Sequence, residues 1–481
     1  MVGVWARLKT NHTSDATSRS PDHTSDAASC ASPEIDSTTP PAFDPIAYQA
    51  DLHGLFELRR GVESRGLEGM RALWDTLGRP AEGIPCIQVA GTNGKGSVCA
   101  WLSSIFCASG VRVGLFTSPH LVHFRERFRI NEIDVSDERI AHHLPRVLQA
   151  ANKTGYPPLF FEIVTALGLC LFAEAQVEWM ILEVGLGGRL DATTVFPTVA
   201  SVITSIGLDH CAWLGDTHAA IAREKAGIFR PNVPAWIGDV PEEAAVIIRQ
   251  EALSHQVSAL RWAGVDFSVQ PLAVQPCATE SLCFVGEGEA IEGLSIPLRG
   301  QHQHRNLALA LAVALGQREQ GWHITKEALR QGVQRVRWVG RLQRLEWRER
   351  VVWLDGAHNP EAAVVLAEAL VSIRPAVLIF GAMQDKDIHA TLRPLLGCVR
   401  HTIYCAAHNP RAWSASALQQ MAREIDLSRT SEVSDNLADA LTKAHAQSQK
   451  GDAIVLAGSL YLVGEALRLL DASCSPLPHT A

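Results

Sequence analysis

Short apolar runs alternate along the chain with stretches of helical spacing. The runs are rich in valine, isoleucine and leucine, which is typical of strands buried in a parallel sheet. In the first half of the chain they are Cys86 to Ala90, Val111 to Phe116, Trp179 to Val184 and Val199 to Ser205. Between the first two, apolar residues recur at helical spacing: Val98, Trp101, Leu102, Ile105 and Phe106. This alternation predicts an α/β fold with a mostly parallel sheet.

The same alternation starts again after residues 335–339. Strands are predicted at Val351 to Leu354, Val377 to Phe380, Ile403 to Cys405 and Ile454 to Leu456, and helices at Glu361 to Leu370 and Leu460 to Leu470. We therefore predict a first domain over residues 44–336 and a smaller C-terminal, Rossmann-like α/β domain over 337–481. Residues 231–295 are expected to form an antiparallel flap on the first domain. Residues 1–43, rich in Ser, Thr, Asp, Ala and Pro, are predicted to be a disordered N-terminal extension.

Composition excludes several classes of partner. The chain has 43 Lys and Arg against 51 Asp and Glu, a net charge of −8, so it offers no broad basic field for nucleic acid or an anionic membrane. The run Ile163 to Ala173 lies between two glutamates and is far shorter than the roughly 20 residues that span a bilayer. The 11 cysteines form no C-x-x-C pair. A cytoplasmic protein with reduced cysteines is expected.

A glycine-rich loop joins the first strand to the first periodic helix. It consists of Gly91, Thr92, Asn93, Gly94, Lys95, Gly96 and Ser97. Glycines allow backbone N–H groups to turn inward, the lysine adds a positive charge, and the helix N-terminus adds its dipole. The loop, called the cradle below, predicts phosphate binding and a P-loop-type ATPase domain. It departs from G-x-x-x-x-G-K-[ST], because Gly91 lies three residues before Gly94, which argues against a generic kinase or GTPase.

Polar residues follow three more strands of the predicted sheet. Ser118, Glu183 and His210 stand at or just after strand ends, and the carboxyl ends of parallel strands share one edge of the sheet. A carboxylate at the end of an apolar strand is costly to bury unpaired, so we expect a cation beside Glu183. Ser97 has a hydroxyl suited to Mg²⁺ or to a phosphate oxygen. A magnesium site beside the cradle is therefore predicted.

Four motifs resemble the folate branch of the Mur ligases, the dihydrofolate synthase/folylpolyglutamate synthase family. They are the cradle G-T-N-G-K-G-S, S-P-H-L from Ser118, D-G-A-H-N-P from Asp355 and F-G-A-M-Q-D-K-D from Phe380. The resemblance extends from about residue 45 to the C-terminus. It implies an ATP-dependent ligase that adds L-glutamate to dihydropteroate and then lengthens reduced folates, through an acyl phosphate.

Other functions remain as alternatives. One is a monofunctional folylpolyglutamate synthase, and another is a different Mur-type amino-acid ligase, although a cell-wall enzyme would normally carry a UDP-sugar-binding N-terminal domain. A nucleotide-dependent switch without chemistry would need none of the residues Glu183, His210 and Lys225. The expected partners are ATP, L-glutamate, dihydropteroate and reduced folates, and the expected state is a monomer.

The resemblance also implies the roles of individual residues. Catalysis is expected from Lys95, Arg341, His358 and Lys225, a lysine that the family carbamylates and that stands here in a segment suited to a helix start. ATP is expected to contact the cradle, Asn306 at the mouth of a helix, Arg341 and Asp355. Two Mg²⁺ ions are expected, with Ser97, Ser118, Glu183 and His210 as the ligands. The pterin residues are expected to be Pro119, His120, Phe161, Leu190, Asp191 and Ala192.

Some of these residues have ordinary alternatives. Judged from the residues alone, His120 could be a simple loop histidine and Phe161 a core side chain. The segment Thr194 to Pro197 departs from the family, which usually has Asn and Asp there.

Overall fold

The fold is described by a computed structural model over residues 43–58, 66–272 and 281–471. The predicted disordered extension lies outside the described residues, apart from Phe43. Two α/β domains account for the rest, as predicted. The predicted boundary between residues 336 and 337 falls in the segment between the last helix of the first domain and the first strand of the second.

A sheet of eight strands forms the centre of the first domain, in the order β4-β3-β2-β5-β1-β6-β7-β8. Six of them, from β2 to β8 in that order, are parallel, and β3 and β4 extend one edge in antiparallel fashion. The strands are β1 Cys86–Ala90, β2 Val113–Phe116, β3 Phe128–Ile130, β4 Ile133–Asp134, β5 Trp179–Glu183, β6 Ala200–Ser205, β7 Ala235–Asp239 and β8 Leu260–Trp262.

Helices cover both faces of this sheet. One face packs against α3 and α9, with α10 packed on α3, and the other face packs against α5, with α4 packed on α5. The helices are α1 Pro45–Glu57, α2 Glu68–Thr76, α3 Lys95–Ala108, α4 Asp137–Lys153, α5 Phe160–Glu174, α6 Cys211–Leu214, α7 His218–Ala226, α8 Glu242–Ser254, α9 Gln301–Glu319 and α10 Lys326–Arg335. No helix in the described part of the chain is long and apolar enough to cross a bilayer.

The prediction for residues 231–295 was only partly right. A three-stranded antiparallel sheet is present, formed by β9 Phe267–Pro271, β10 Leu282–Gly286 and β11 Glu289–Leu294. The preceding part, however, contributes β7, α8 and β8 to the main parallel sheet. Ala235 and Ile237 are fully buried there, so this apolar run had the composition of a central strand.

The second domain has a six-stranded sheet in the order β12-β13-β17-β14-β15-β16. Only β12 is antiparallel, as is common at the edge of a doubly wound sheet. Its strands are β12 Gln343–Trp347, β13 Arg350–Leu354, β14 Val377–Phe380, β15 His401–Cys405, β16 Thr430–Ser434 and β17 Ala453–Ala457. Its helices are α11 Pro360–Ile373, α12 Ile388–Leu396, α13 Ala415–Ile425, α14 Leu437–Ala446 and α15 Leu460–Asp471.

Candidate active site

A cleft of about 1250 Å³ lies where the carboxyl edges of the two parallel sheets meet. The first domain lines it with the loops that follow β1, β2, β5 and β6. The second domain lines it with the loops that follow β13, β14 and β17. Ligands of open α/β sheets bind at such edges, because the loops and helix N-termini converge there. Here two edges share one cleft.

The cradle connects β1 to α3. Gly91 and Gly94 have φ angles of +150° and +85°, which glycine adopts without strain. No side chain caps the first turn of α3, so its N–H groups are left for an anion. The N–H groups of Thr92 and Asn93 instead donate to Ser205 at the end of β6, both at 2.9 Å. The nest predicted over the whole loop is therefore confined to the start of the helix.

Two lysines converge on one carbonyl oxygen of the cradle. Lys95 Nζ and Lys225 Nζ each donate to the oxygen of Gly91 at 2.9 Å, and Lys95 also reaches the oxygen of Thr92 at 3.2 Å. Lys225 is buried, and burial together with the charge of Lys95 lowers its pKa to about 7. It stands in the last turn of α7, which begins at His218, so the expected helix start was wrong.

The four predicted metal ligands all line the cleft. Glu183 is buried at the end of β5, and its Oε2 accepts the N–H of Ser118 at 2.9 Å. Burial raises the pKa of Glu183, although the charge of Lys95 opposes the shift. No cationic partner within ion-pair distance is found for Glu183 in the described ranges. His210 has a left-handed backbone, with φ of +54°, and a side chain 41% exposed.

Five of the six predicted pterin residues also line the cleft, namely Pro119, Phe161, Leu190, Asp191 and Ala192. The ring of Phe161 packs over Gly185, where an added Cβ would lie 2.5 Å from the ring. His120 is not among the residues that line the cleft, and its Nδ1 accepts the Nε–H of Arg127 at 2.9 Å. It also packs against the ring of Phe124.

Asp191 shapes the loop on which it stands. Its Oδ2 accepts the N–H groups of Gly185 and Leu186 at 2.9 and 3.1 Å, and its Oδ1 accepts the N–H and hydroxyl of Thr193. Burial raises the pKa of Asp191, while these hydrogen bonds favour the carboxylate. One of the predicted pterin residues therefore also holds the wall of the cleft in place.

Asn306 differs from its predicted position at a helix mouth. It lies inside α9 and is buried, with its Nδ2 donating to Gln303 Oε1 at 3.1 Å. Gln303 Nε2 donates in turn to Ser97 Oγ at 3.3 Å. This amide network packs directly against the cradle, because a Cβ at Gly94 would lie 2.5 Å from Asn306 Oδ1.

The second domain brings three predicted residues to the cleft. Asp355 accepts the N–H groups of Leu342 and Ala357, both at 2.8 Å, and so fixes two loops at once. His358 donates Nδ1–H to the oxygen of Gly356 at 2.7 Å, which leaves Nε2 directed at the other domain. Arg341 lines the cleft, with its Nη1 donating to the oxygen of Gly340 at 3.1 Å.

The two domains meet in a polar cluster that the sequence analysis did not assign. Asp209 is buried and pairs with Lys386, while its Oδ2 accepts Nδ2–H of Asn359 at 3.1 Å and lies 3.6 Å from His358 Nε2. Burial would raise the pKa of Asp209, but His358 and Lys386 hold it well below its usual range. Asn359 and Asn93 of the cradle exchange amide hydrogen bonds at 3.0 and 3.1 Å. The signals available in the sequence were the adjacency of Asp209 to His210 and the presence of Asn359 and Lys386 in two of the family motifs.

Comparison with known proteins agrees with this geometry. The family model described as the Mur ligase middle domain matches residues 89–314, and the Mur ligase, glutamate ligase domain, matches residues 340–460. The dihydrofolate synthase/folylpolyglutamate synthase of Bacillus subtilis is 37% identical over 429 residues, which cover 86% of this chain and 96% of that protein. The chain belongs to the dihydrofolate synthase/folylpolyglutamate synthase family of Mur ligases.

Further relatives and solved structures support the same family. A Haloferax volcanii protein named probable bifunctional folylpolyglutamate synthase/dihydropteroate synthase is 34% identical over 90% of this chain, which spans 52% of that protein. Escherichia coli FolC in complex with DHPP and ADP has a TM-score of 0.79 at 32% identity, covering 88% of this chain and 98% of that one. The Yersinia pestis bifunctional enzyme complexed with AMPPNP and Mn ion has a TM-score of 0.78 at 31% identity, covering 90% and 100%.

Membership of this family confirms that the chain is an ATP-dependent ligase. The alternative of a nucleotide switch without chemistry is not supported, because the match includes the glutamate ligase domain. In this ligase the cradle, the buried Glu183 and the buried Lys225 stand on one side of the cleft. Arg341, His358 and Lys386 stand on the other.

Proposed function

We propose that this ligase joins L-glutamate to dihydropteroate and then lengthens reduced folates with further glutamates, at the expense of ATP. The observation that carries the proposal is the shared cleft, in which a phosphate cradle and a buried acid from one domain stand opposite cationic side chains from the other. The names of the relatives, several of them bifunctional, support the substrates.

The chemistry starts from a carboxylate, which is a poor electrophile. Its oxygen attacks the γ-phosphorus of ATP, the bond to ADP breaks, and an acyl phosphate forms. The amine of glutamate then attacks the acyl carbon, loses a proton and displaces inorganic phosphate. Both steps bring anions together, so catalysis rests on positioning and on positive charge. Lys95, Arg341 and His358 are proposed to supply that charge from the two sides of the cleft.

Ser97, Ser118, Glu183 and His210 are proposed to hold divalent metal, with Mg²⁺ as the physiological ion. The buried carboxylate of Glu183 has no ion-pair partner among the described residues and so fits a cation, and an ion that keeps waters and substrate phosphates needs few protein ligands. The metal would neutralise phosphate charge during transfer. A second ion and the choice of Mg²⁺ over Mn²⁺ stay predictions.

Lys225 is proposed to carry a carbamate. A protonated amine buried beside Lys95 is electrostatically unfavourable, which is why its pKa falls to about 7. The neutral amine adds to carbon dioxide through a new N–C bond and releases one proton to solvent, which gives an anionic carbamate that Lys95 and a bound metal would both stabilise. The geometry thus favours the modification that the family resemblance implied.

The acceptor is proposed to lie along the wall formed by Pro119, Phe161, Leu190, Asp191 and Ala192. Phe161 offers an aromatic face at the cleft and Leu190 is 40% exposed there, as suits a flat heterocycle. Asn306, Arg341 and Asp355 are proposed for the nucleotide. The monomeric state and the cytoplasmic location stay predictions.

The reaction itself is tested with ATP, Mg²⁺, labelled glutamate and either dihydropteroate or a reduced folate. We expect label to enter both acceptors, with one ADP released per amide bond. Label in the reduced folate alone would replace the bifunctional proposal by a monofunctional folylpolyglutamate synthase. Label in neither acceptor would overturn the proposed substrates.

Removal of the second domain's cations gives a further prediction. Arg341→Ala and His358→Ala should each lower turnover about 100-fold or more, because each withdraws positive charge from a transferring phosphoryl group. Turnover per folded molecule and melting temperature are the measurements. The controls in the same domain are Arg423→Ala, at an exposed position, and His389→Ala, whose half-exposed ring pairs with Glu424 outside the cleft. Full activity per folded molecule in both variants would argue against a site shared by the two domains.

A further inference from the structure

The loop between β2 and β3 contacts both domains. Near its start, the N–H of Ser118 donates to the buried carboxylate of Glu183 at 2.9 Å, and Pro119 lines the acceptor side of the cleft. Further along, the carbonyl oxygen of Val122 accepts from Arg468 of α15 at 3.0 Å. Leu121 and Val122 also pack against the apolar core of the second domain. One short segment therefore joins the proposed acceptor site to the opposite side of the cleft.

A single carboxylate fixes the shape of this segment. Glu126 Oε2 accepts the N–H of Leu121 at 2.7 Å, and Oε1 accepts the N–H groups of Val122 and His123 at 2.9 and 2.7 Å. Hydrogen bonds to an ionised acceptor are about twice as strong as neutral ones. Three of them on one side chain hold three consecutive residues in place. We call residues 121–123, with Glu126, the strut.

The strut meets the second domain at two glycines. A Cβ at Gly464, in α15, would overlap the carbonyl group of Leu121. A Cβ at Gly340 would lie 3.1 Å from Leu121 Cδ1. Backbone of the strut thus approaches the helix more closely than any side chain at position 464 would permit. A displacement of α15 would therefore require a displacement of the strut, and a displacement of the strut would require one of α15.

We propose that Glu126 is a positioning residue for the acceptor and that the strut makes acceptor affinity depend on the seating of α15. This inference rests on the proposed function, because it concerns how tightly the proposed acceptor binds. The physical basis is that the segment from Ser118 to the strut is held in place at both ends. The Ser118 end is bonded to Glu183, the other end is enclosed by α15, and Glu126 prevents the segment between them from absorbing a displacement. A shift of α15 therefore reaches Pro119 and the wall beside it.

A purely local role for Glu126 makes a different forecast. If the carboxylate only stabilised its own loop, Glu126→Gln would lower the melting temperature. Gly464→Ala would then have no effect on acceptor binding, because Gly464 does not line the cleft, although Leu460, Tyr461 and Leu467 of the same helix do. The decisive variant is accordingly in the second domain.

The test compares Glu126→Gln and Gly464→Ala with Gly397→Ala. Gly397 lies in the second domain where an added Cβ meets nothing within 4 Å, so it controls for the substitution itself. Calorimetry would measure dihydropteroate binding in the presence of a non-hydrolysable ATP analogue, and kinetics would give KM and kcat. We expect both test variants to weaken dihydropteroate binding about tenfold, with analogue affinity within about twofold of wild type. Gly397→Ala should match wild type.

Unchanged dihydropteroate affinity in Gly464→Ala would overturn the inference, whatever Glu126→Gln does. If Gly464→Ala does not fold, Arg468→Ala decides in its place, because it removes the hydrogen bond that α15 donates to the carbonyl oxygen of Val122, and Arg468 does not line the cleft. Binding of dihydropteroate to the wild-type chain distinguishes failure of this inference from failure of the proposed function. Failure of wild type to bind dihydropteroate would overturn the acceptor, whereas equal binding by wild type and variants would overturn the strut alone.

Discussion

Lys95→Ala is expected to lose at least about 1000-fold in turnover with little change in melting temperature. The amine of Lys95 lies at the mouth of the cradle, on the carbonyl oxygens of Gly91 and Thr92, where a transferring phosphoryl group would replace those weak partners. Removing one preorganised donor from such a site typically costs about 10² to 10³ in rate, and a full positive charge should cost at least as much. The side chain is half-buried and fills no core position, so folding should survive.

The measurement is ADP release coupled to amide formation, together with thermal unfolding. Lys153→Ala, at the exposed end of α4, is the matched control and should behave as wild type. Near-full turnover in Lys95→Ala would refute the assignment of residues 91–97 as the phosphate cradle. A large decrease in melting temperature would instead indicate that Lys95 stabilises the loop through its hydrogen bonds to the oxygens of Gly91 and Thr92.

Lys225→Ala is expected to be nearly inactive and to be partly restored by small carboxylic acids. The side chain is buried against the cradle, and its pKa of about 7 leaves about half of the amine neutral at pH 7. With an ordinary pKa of about 10.4, less than about one part in 1000 would be neutral. Carbon dioxide reacts with the neutral form only, so the environment of Lys225 favours a carbamate, and a free carboxylate should occupy the space left by alanine.

The pH dependence of the modification follows from the same shift. At fixed dissolved carbon dioxide, the neutral fraction of a group with pKa about 7 rises from about one tenth at pH 6 to about nine tenths at pH 8. Carbamate formation should therefore increase across this window. A carbon-13 signal from labelled carbon dioxide would record it in wild type and be absent from Lys225→Ala.

Rescue chemistry distinguishes a carbamate from a phosphate-binding amine. Acetate or formate should raise the activity of Lys225→Ala, whereas small amines should not. Lys95→Ala is the control, because an anion in its place should not help. If amines rescued Lys225→Ala and wild type carried no carbamate signal, Lys225 would be an ordinary phosphate ligand.

The sequence determined the local chemistry of this protein. The cradle could be read from residues 91–97 because phosphate binding needs glycines, a lysine and a helix start in immediate succession. Ser118, Glu183 and His210 were expected to share one sheet edge, and all three line the cleft. This worked because strand direction is fixed once a sheet is parallel. The roles of these residues stay predictions.

Contacts between segments that lie far apart in the sequence were decided only by the tertiary structure. The pairing of Asp209 with Lys386, the amide exchange between Asn93 and Asn359, and the seating of Leu121 on α15 depend on how two separately folded sheets meet. No periodicity in the sequence encodes that meeting, because the hydrophobic pattern of each domain specifies only its own strands and helices. The position of His120 was also not predicted, although it is set within the first domain: its ring contacts Arg127 and Phe124, and His120 is not among the residues that line the cleft. Local residue spacing specified the individual strands, helices and loops. Packing between the domains specified the distances between side chains on the two sides of the cleft.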